Sequence, residues 1–170
     1  MLRSIASRLC GTLDLMLSKP EIKTLVRCLG EASRFVTELR GREQIAKYVQ
    51  YPKIPPALSE SLAVHALRDG MLLTHVGPFS SVDLGGRVAD IVATTAMGTT
   101  LRIETKAAGT EEFATFGPKD YEADFLLWLL FGDLIRNGQG GKCRVLVCPC
   151  PKDHLPWRKD RVTVTQLKSA

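Results

Sequence analysis

Apolar and polar positions between Arg87 and Ala108 follow the pattern of two strands joined by a tight turn. Apolar residues recur on both arms of this segment, RVADIVATTAMGTTLRIETKAA, and Gly98 lies near its middle. The pattern predicts a β-hairpin, and the polar residues on its arms make it the segment around which we interpret the rest of the chain.

Helical spacing of apolar residues dominates the N-terminal third. Residues 2–17 predict one helix, and Ser18 with Glu21 forms the signature of a capping box that begins another. Gly30 and Gly41 are candidate interruptions of this second helical region. We therefore expect a helical arm before the first proline-rich segment.

The segment Tyr51–Pro56 contains three prolines and predicts a stiff connector. A helix follows from near Pro56 and stops before Gly70, with proline at its start and glycine past its end. The sequence thus predicts a helical arm over residues 1–55 and an α/β core over residues 56–170.

Further elements complete the predicted core. They are a short strand at Met71–Val76, a short helix at Lys119–Ala123, a doubly buried strand at Ala123–Phe131, and strands at Cys143–Cys148 and Arg161–Leu167. With the hairpin, these elements predict a mixed β-sheet flanked by helices.

Three charged residues of the hairpin share one face in the register that we expect. Glu104 and Lys106 alternate along a strand, so both side chains leave from the same side. If Ala96 pairs with Thr100 across a three-residue loop, Asp90 lies opposite Lys106 and diagonal to Glu104. A register shifted by one residue would turn Asp90 to the other face.

Asp90 and the tripeptide Glu104-Thr105-Lys106, with thirteen residues between them, resemble the motif of the PD-(D/E)xK nuclease superfamily, the fold of many restriction enzymes and Holliday-junction resolvases. The resemblance covers residues 57–149. Val88 and Ala89 precede Asp90, without the proline that is frequent there in the family. The resemblance implies a restriction-endonuclease-like α/β fold and metal-dependent hydrolysis of DNA.

The residue types fit that chemistry. Asp90 and Glu104 are hard oxygen donors of the kind that bind Mg²⁺ or Mn²⁺, and Lys106 is placed to assist an attacking water. The resemblance further implies that the Thr105 carbonyl is a metal ligand and that Glu60, on the first core helix, is an additional catalytic acid. Glu60 could instead complement the dipole at the start of its helix.

Other interpretations of the same residues stay open. Asp83 is a second candidate acid, which we rank below Asp90 because Gly85-Gly86 separates it from the hairpin. The charged residues could also form a salt-bridge ladder on a half-exposed sheet. The predicted activity is that of a Mg²⁺-dependent endodeoxyribonuclease; the alternatives are a nuclease selective for branched DNA and a non-catalytic nucleic-acid-binding or assembly module.

Charge is unevenly distributed, and this bears on the expected partner. The chain has a net charge of +5, and residues 1–56 hold ten Lys and Arg against five Asp and Glu. Such an arm suits a polyanion, so we expect Arg34, Arg40, Arg42 and Lys47 to contact DNA phosphates. Because duplex cleavage needs two active sites, we also expect a homodimer.

Cysteine usage and hydropathy indicate the compartment. Five cysteines are an odd number, and no secretory signal is visible, so we expect a reducing, intracellular, cytoplasmic setting. No apolar run approaches the roughly 20 residues that a membrane helix needs, so we expect no membrane partner.

Overall fold

Five strands form the central mixed sheet, in the spatial order β1-β2-β3-β5-β6. They are β1 (Phe79–Leu84), β2 (Ile91–Thr95), β3 (Thr100–Ala108), β5 (Phe125–Leu130) and β6 (Arg144–Pro149). β3 and β5 are parallel, and the other neighbouring pairs are antiparallel. The computed structural model describes residues 16–42, 49–86, 88–109, 113–114, 116–137, 141–155 and 162–163.

Helices cover the sheet, and a small second sheet lies beside it. The helices are α1 (Lys19–Arg42), α2 (Pro56–Arg68), α3 (Pro118–Tyr121), α4 (Gly132–Asn137) and α5 (Pro151–His154), with a 3₁₀ turn at Thr74–Val76. The second sheet pairs β4 (Phe113–Ala114) with β7 (Val162–Thr163). The α/β class and the mixed sheet with flanking helices, including an N-terminal helix, are confirmed.

β5 divides the core into two layers because its side chains alternate between the sheet faces. Leu127 and Leu129 pack in one apolar cluster with residues of α1, α2 and α4. Trp128 packs on the opposite face, in a second cluster that includes Phe116 and Tyr121. The prediction of a strand buried on both faces is confirmed, since residues 126–130 are all buried.

The predicted helix starts are also present. Ser18 and Glu21 hydrogen-bond to each other reciprocally: the Ser18 N–H donates to Glu21 Oε2 at 2.8 Å, and the Glu21 N–H donates to Ser18 Oγ at 3.4 Å. α2 begins at Pro56 and is followed by Gly70, which has a positive φ of 67°. α1, however, continues through Gly30 and Gly41 without interruption.

One prediction about the entry to the sheet was wrong. Met71–Val76 is not a strand: Leu73 has left-handed backbone angles and a 3₁₀ turn follows it. The first strand is Phe79–Leu84 instead, an edge strand in which only Val82 is fully buried. An edge strand with one buried side chain lacks the regular alternation by which a strand is recognised in a sequence.

The hairpin forms, but in a register two residues from the expected one. Thr94 pairs with Thr100, where we expected Ala96 to do so. The loop closes earlier because Gly98 has a φ of 87°, which suits the last position of a three-residue loop, and its N–H bonds the Thr95 carbonyl. A shift of two residues leaves every side chain on its expected face.

α1 packs directly onto the core. Ile22, Val26 and Leu29 belong to the same apolar cluster as residues of α2 and of the sheet. Residues 1–15 and 43–48, part of the predicted arm, lie outside the described residues, and the division at residue 55 stays a prediction. None of the described helices is long and apolar enough to cross a membrane.

Candidate active site

The two acids of the predicted site meet where β2 begins beside the middle of β3. Extending the observed register places Asp90 opposite Glu104, and the Asp90 N–H donates a hydrogen bond to Glu104 Oε1 at 3.2 Å. Asp90 Oδ2 accepts hydrogen bonds from the Thr105 N–H at 2.9 Å and the Thr105 hydroxyl at 3.1 Å. Thr105 therefore orients the carboxylate of Asp90.

Lys119, which is not among the predicted site residues, lies between these acids. Its Nζ is 3.0 Å from Asp90 Oδ1 and 3.2 Å from Glu104 Oε1. The parallel crossover from β3 to β5 brings it there, because β5 begins with Phe125 beside Ile103. The residue just before β5 lies beside Arg102, where the Asp124 N–H donates to the Arg102 carbonyl at 2.9 Å, two positions from Glu104. This crossover, taken with the predicted short helix at Lys119, is the signal that could have identified the residue.

Lys106 forms an ion pair with Asp120, the residue that follows Lys119 in α3. Its Nζ is 2.8 Å from Oδ1 of Asp120, a side chain that is only 5% exposed. The other oxygen of Asp120 accepts the Gly117 N–H at 2.7 Å, and the Lys106 ammonium lies 6.0 Å from the centre of the Phe116 ring. Lys106 shares the sheet face of Glu104, as predicted, but its ion pair is with Asp120.

Glu60 lies on α2, close enough to the site to interact electrostatically with Asp90 and Lys119. Burial and then the negative charge of Asp90 raise the pKa of Glu60, and the positive charge of Lys119 partly opposes this effect. α2 has no side-chain hydrogen bond capping its N-terminus. Asp83 lies apart, in an exposed ion pair with Arg68 at 3.2 Å.

The surroundings move the pKa values of the two central acids in opposite directions. Burial and then the charge of Asp90 raise the pKa of Glu104, against the hydrogen bond from Lys119. Burial also acts to raise the pKa of Asp90, but hydrogen bonds from Thr105 and Lys119 outweigh it and lower that pKa. Lys119 in turn has a raised pKa, because its bonds to both acids outweigh its burial.

Little free space remains beside the acids. A cavity of about 10 Å³, lined by residues that include Glu104, Lys119 and Arg102, borders the cluster. That volume is at the lower limit for a single water molecule. Lys119 is 43% exposed, so its side chain can rotate away from the acids into solvent.

The oxygen donors fit a divalent cation of the magnesium type. Proteins commonly bind Mg²⁺ through one or two carboxylates, with waters and substrate phosphates as further ligands. Asp90 and Glu104 supply two carboxylates that already share one positive charge, so a divalent cation there would replace the Lys119 ammonium. Among the described residues, no group of three or more His, Cys, Asp or Glu side chains is arranged to hold a metal ion. The Thr105 carbonyl stays a predicted further ligand.

Two of the four residues predicted to contact DNA, Arg34 and Arg40, lie away from the acids. Arg34 and Arg40 line a groove beside α1, together with residues 51–54 of the connector. Arg42 is the last residue of α1, and Lys47 lies outside the described residues. The structure thus places two of the four at one surface.

Comparisons of this chain with protein-family models, with curated proteins and with solved structures return no match. We therefore infer function from the geometry and chemistry of the site.

Proposed function

We propose that the chain is a Mg²⁺- or Mn²⁺-dependent endodeoxyribonuclease that hydrolyses phosphodiester bonds of DNA, on a restriction-endonuclease-like core. The observation that carries this proposal is the sharing of one ammonium by Asp90 and Glu104, at 3.0 and 3.2 Å. Two carboxylates this close need a cation between them, and a hard divalent cation satisfies both. The mixed sheet with flanking helices is compatible with the proposed fold.

Each residue has a proposed role. Asp90 and Glu104 hold the divalent cation, which when bound polarises the scissile phosphate and lowers the pKa of a water molecule. Thr105 fixes the orientation of Asp90. Lys106 orients the attacking water and stabilises negative charge on the phosphoryl oxygens, and Glu60 completes the site from α2.

Asp120 and Lys119 prepare the site for that chemistry. Asp120 holds the ammonium of Lys106 in place through a nearly buried carboxylate. Lys119 balances one of the two negative charges of Asp90 and Glu104 when no divalent cation is bound. Displaced from them, its ammonium stays beside the site and contacts the incoming phosphate.

One specific observation favours a second candidate, a non-catalytic nucleic-acid-binding or assembly module. Lys119 and Asp120 form ion pairs with all three charged residues that the hairpin contributes to the site, so each of these three residues has a partner without a metal. In that case the charges hold α3 to the sheet and have no catalytic role.

Cleavage of supercoiled plasmid in Mg²⁺ or Mn²⁺ separates the two functions. We expect the wild-type protein to nick the plasmid, and Asp90→Ala and Lys106→Ala to reduce the rate by about 100-fold or more, as loss of a group that acts in the transition state does. Asp83→Ala is the matched control, since its exposed ion pair lies outside the site, and it should cleave at the wild-type rate.

The other outcomes are equally informative. A wild-type protein that binds DNA and leaves it intact with either metal would support the non-catalytic module. Equal loss of activity in Asp83→Ala and Asp90→Ala would remove the assignment of the site. Gel shifts on four-way junctions and linear duplexes, followed by cleavage of each, would show whether the nuclease is selective for branched DNA.

We further propose that the nuclease acts on duplex DNA as a homodimer, because one site cuts one strand. Light scattering coupled to size-exclusion chromatography measures its mass in solution. A monomer that makes concerted double-strand breaks would contradict this arrangement.

A further inference from the structure

A groove of about 1340 Å³ lies between the C-terminal half of α1, residues 51–54 and α4. Cationic side chains predominate among its charged residues: Arg34, Arg40, Lys53, Arg136 and Arg144. Glu38 and Asp133 are the acids of its lining. Pockets for small molecules are typically about 300–1000 Å³, so this groove is large enough for an extended ligand.

Part of this positive charge is held in place by the protein. The Tyr51 hydroxyl lies 3.2 Å from Thr37 Oγ1, which fixes the phenol ring against α1. The guanidinium of Arg40 lies over that ring, 5.1 Å from its centre. A cation fixed before binding loses less side-chain entropy when it meets a phosphate.

The groove is separate from the candidate active site. Ala107 lines the groove and packs against the apolar cluster formed by α1, α2 and α4. Its neighbour Lys106 projects from the opposite face of β3, towards Phe116. A ligand in the groove therefore does not contact Asp90 or Glu104 directly from there.

We propose that this groove binds the phosphodiester backbone of a nucleic-acid strand, as a second contact region apart from the acids. An excess of cations along an open channel suits repeated phosphates, and the volume suits a polymer more than a mononucleotide. The inference rests on the proposed function for its choice of DNA as the polymer, but it does not require cleavage.

The test measures binding in EDTA, where no metal-dependent cleavage takes place. Fluorescence anisotropy with labelled duplex and single-stranded DNA gives the Kd over a series of salt concentrations. Arg34→Ala and Lys53→Ala remove exposed groove cations. Arg27→Ala and Lys23→Ala are matched controls, because both are exposed cations of α1 that do not line the groove.

We expect each groove variant to bind DNA about threefold to tenfold more weakly and to lower the slope of log Kd against log salt by about one. Each control should bind within about twofold of wild type, and thermal unfolding should be unchanged in all four variants.

Three results would overturn the proposal: groove variants that bind as wild type does, controls that lose as much affinity, or a mononucleotide that displaces the polymer at the same concentration as free DNA does. If plasmid stays uncut while the groove variants alone lose affinity, the proposed nuclease activity is refuted and the proposal that the groove binds DNA is kept.

Discussion

Replacing Lys119 with methionine tests whether an ammonium and a divalent cation compete for the same two carboxylates. Lys119→Met removes the charge and keeps a long apolar side chain. Lys119 is 43% exposed, whereas Asp90 and Glu104 are 21% and 4% exposed. Exposed ion pairs contribute about 0.2–1 kcal/mol and hydrogen bonds to charged groups about 1.5–3 kcal/mol. Because solvent screens Lys119, we assign about 1 kcal/mol to each of its two contacts.

The two contacts together then stabilise the metal-free site by about 2 kcal/mol, which corresponds to about 30-fold in affinity. We expect Lys119→Met to bind Mn²⁺ about tenfold to thirtyfold more tightly than wild type. Electron paramagnetic resonance of free Mn²⁺, titrated with protein in the absence of DNA, measures this Kd. Lys119→Arg keeps the charge and should change it by less than about threefold. Lys152→Met, an exposed lysine of α5, should have no effect.

A Mn²⁺ affinity that is equal or weaker in Lys119→Met, in a protein that unfolds at the wild-type temperature, would refute the competition. The two acids would then not be the cation site. If Asp90→Asn and wild type also bound Mn²⁺ equally well, the proposed metal ligands would have to be abandoned. The measurement needs no catalytic activity, so it remains decisive if the protein cuts no DNA.

Two further predictions concern stability. A Cβ at Gly30 would lie 2.8 Å from the Ile135 carbonyl oxygen, whereas one at Gly41 meets nothing within 4 Å. In urea unfolding, Gly30→Ala should therefore lose about 1–2 kcal/mol, and Gly41→Ala should gain up to about 1 kcal/mol from helix propensity; equal effects would show that the α1–α4 contact is not tight. Burial and the charge of Asp90 raise the pKa of Glu60 above 4.5, so the contribution of this side chain to stability falls as pH rises above that value. Glu60→Gln should be more stable than wild type at pH 7, by up to about 1 kcal/mol after screening, and equal to it near pH 4; a difference that does not change with pH would contradict this.

The regular parts of the fold were predictable because their sequence signals are local and strong. The unbroken apolar run of β5 indicates burial on two faces, and the Ser18–Glu21 pair marks a helix start wherever the helix later packs. Gly30 misled the prediction for a physical reason. It does not end α1, but lets the helix approach the Ile135 carbonyl of α4, a long-range contact that no local pattern reports.

The hairpin shows how far periodicity alone can determine a site. Alternation determines which residues share a face of the sheet. The predicted face of each side chain is therefore correct, although the predicted register is wrong by two residues. Asp90 lies opposite Glu104 in the observed register, where we expected it opposite Lys106. The pairing depends on which loop position takes the positive φ, and Gly98 could occupy more than one of them in a three-residue loop.

Lys119 could not be identified from charge patterns, because the sequence shows only that two neighbouring acids require a cation. The parallel crossover brings α3 to the charged residues of the hairpin. Lys119 and Asp120 are consecutive residues of α3, and the first pairs with the acids while the second pairs with Lys106. A single ammonium leaves one excess negative charge on Asp90 and Glu104, and a divalent ion leaves none. A divalent ion bound by the two acids would release Lys119 to contact a phosphate, whereas Lys106 would keep its ion pair with Asp120. We propose that the relative affinity of these two acids for Mg²⁺ and for Lys119 distinguishes the proposed nuclease from the proposed non-catalytic module.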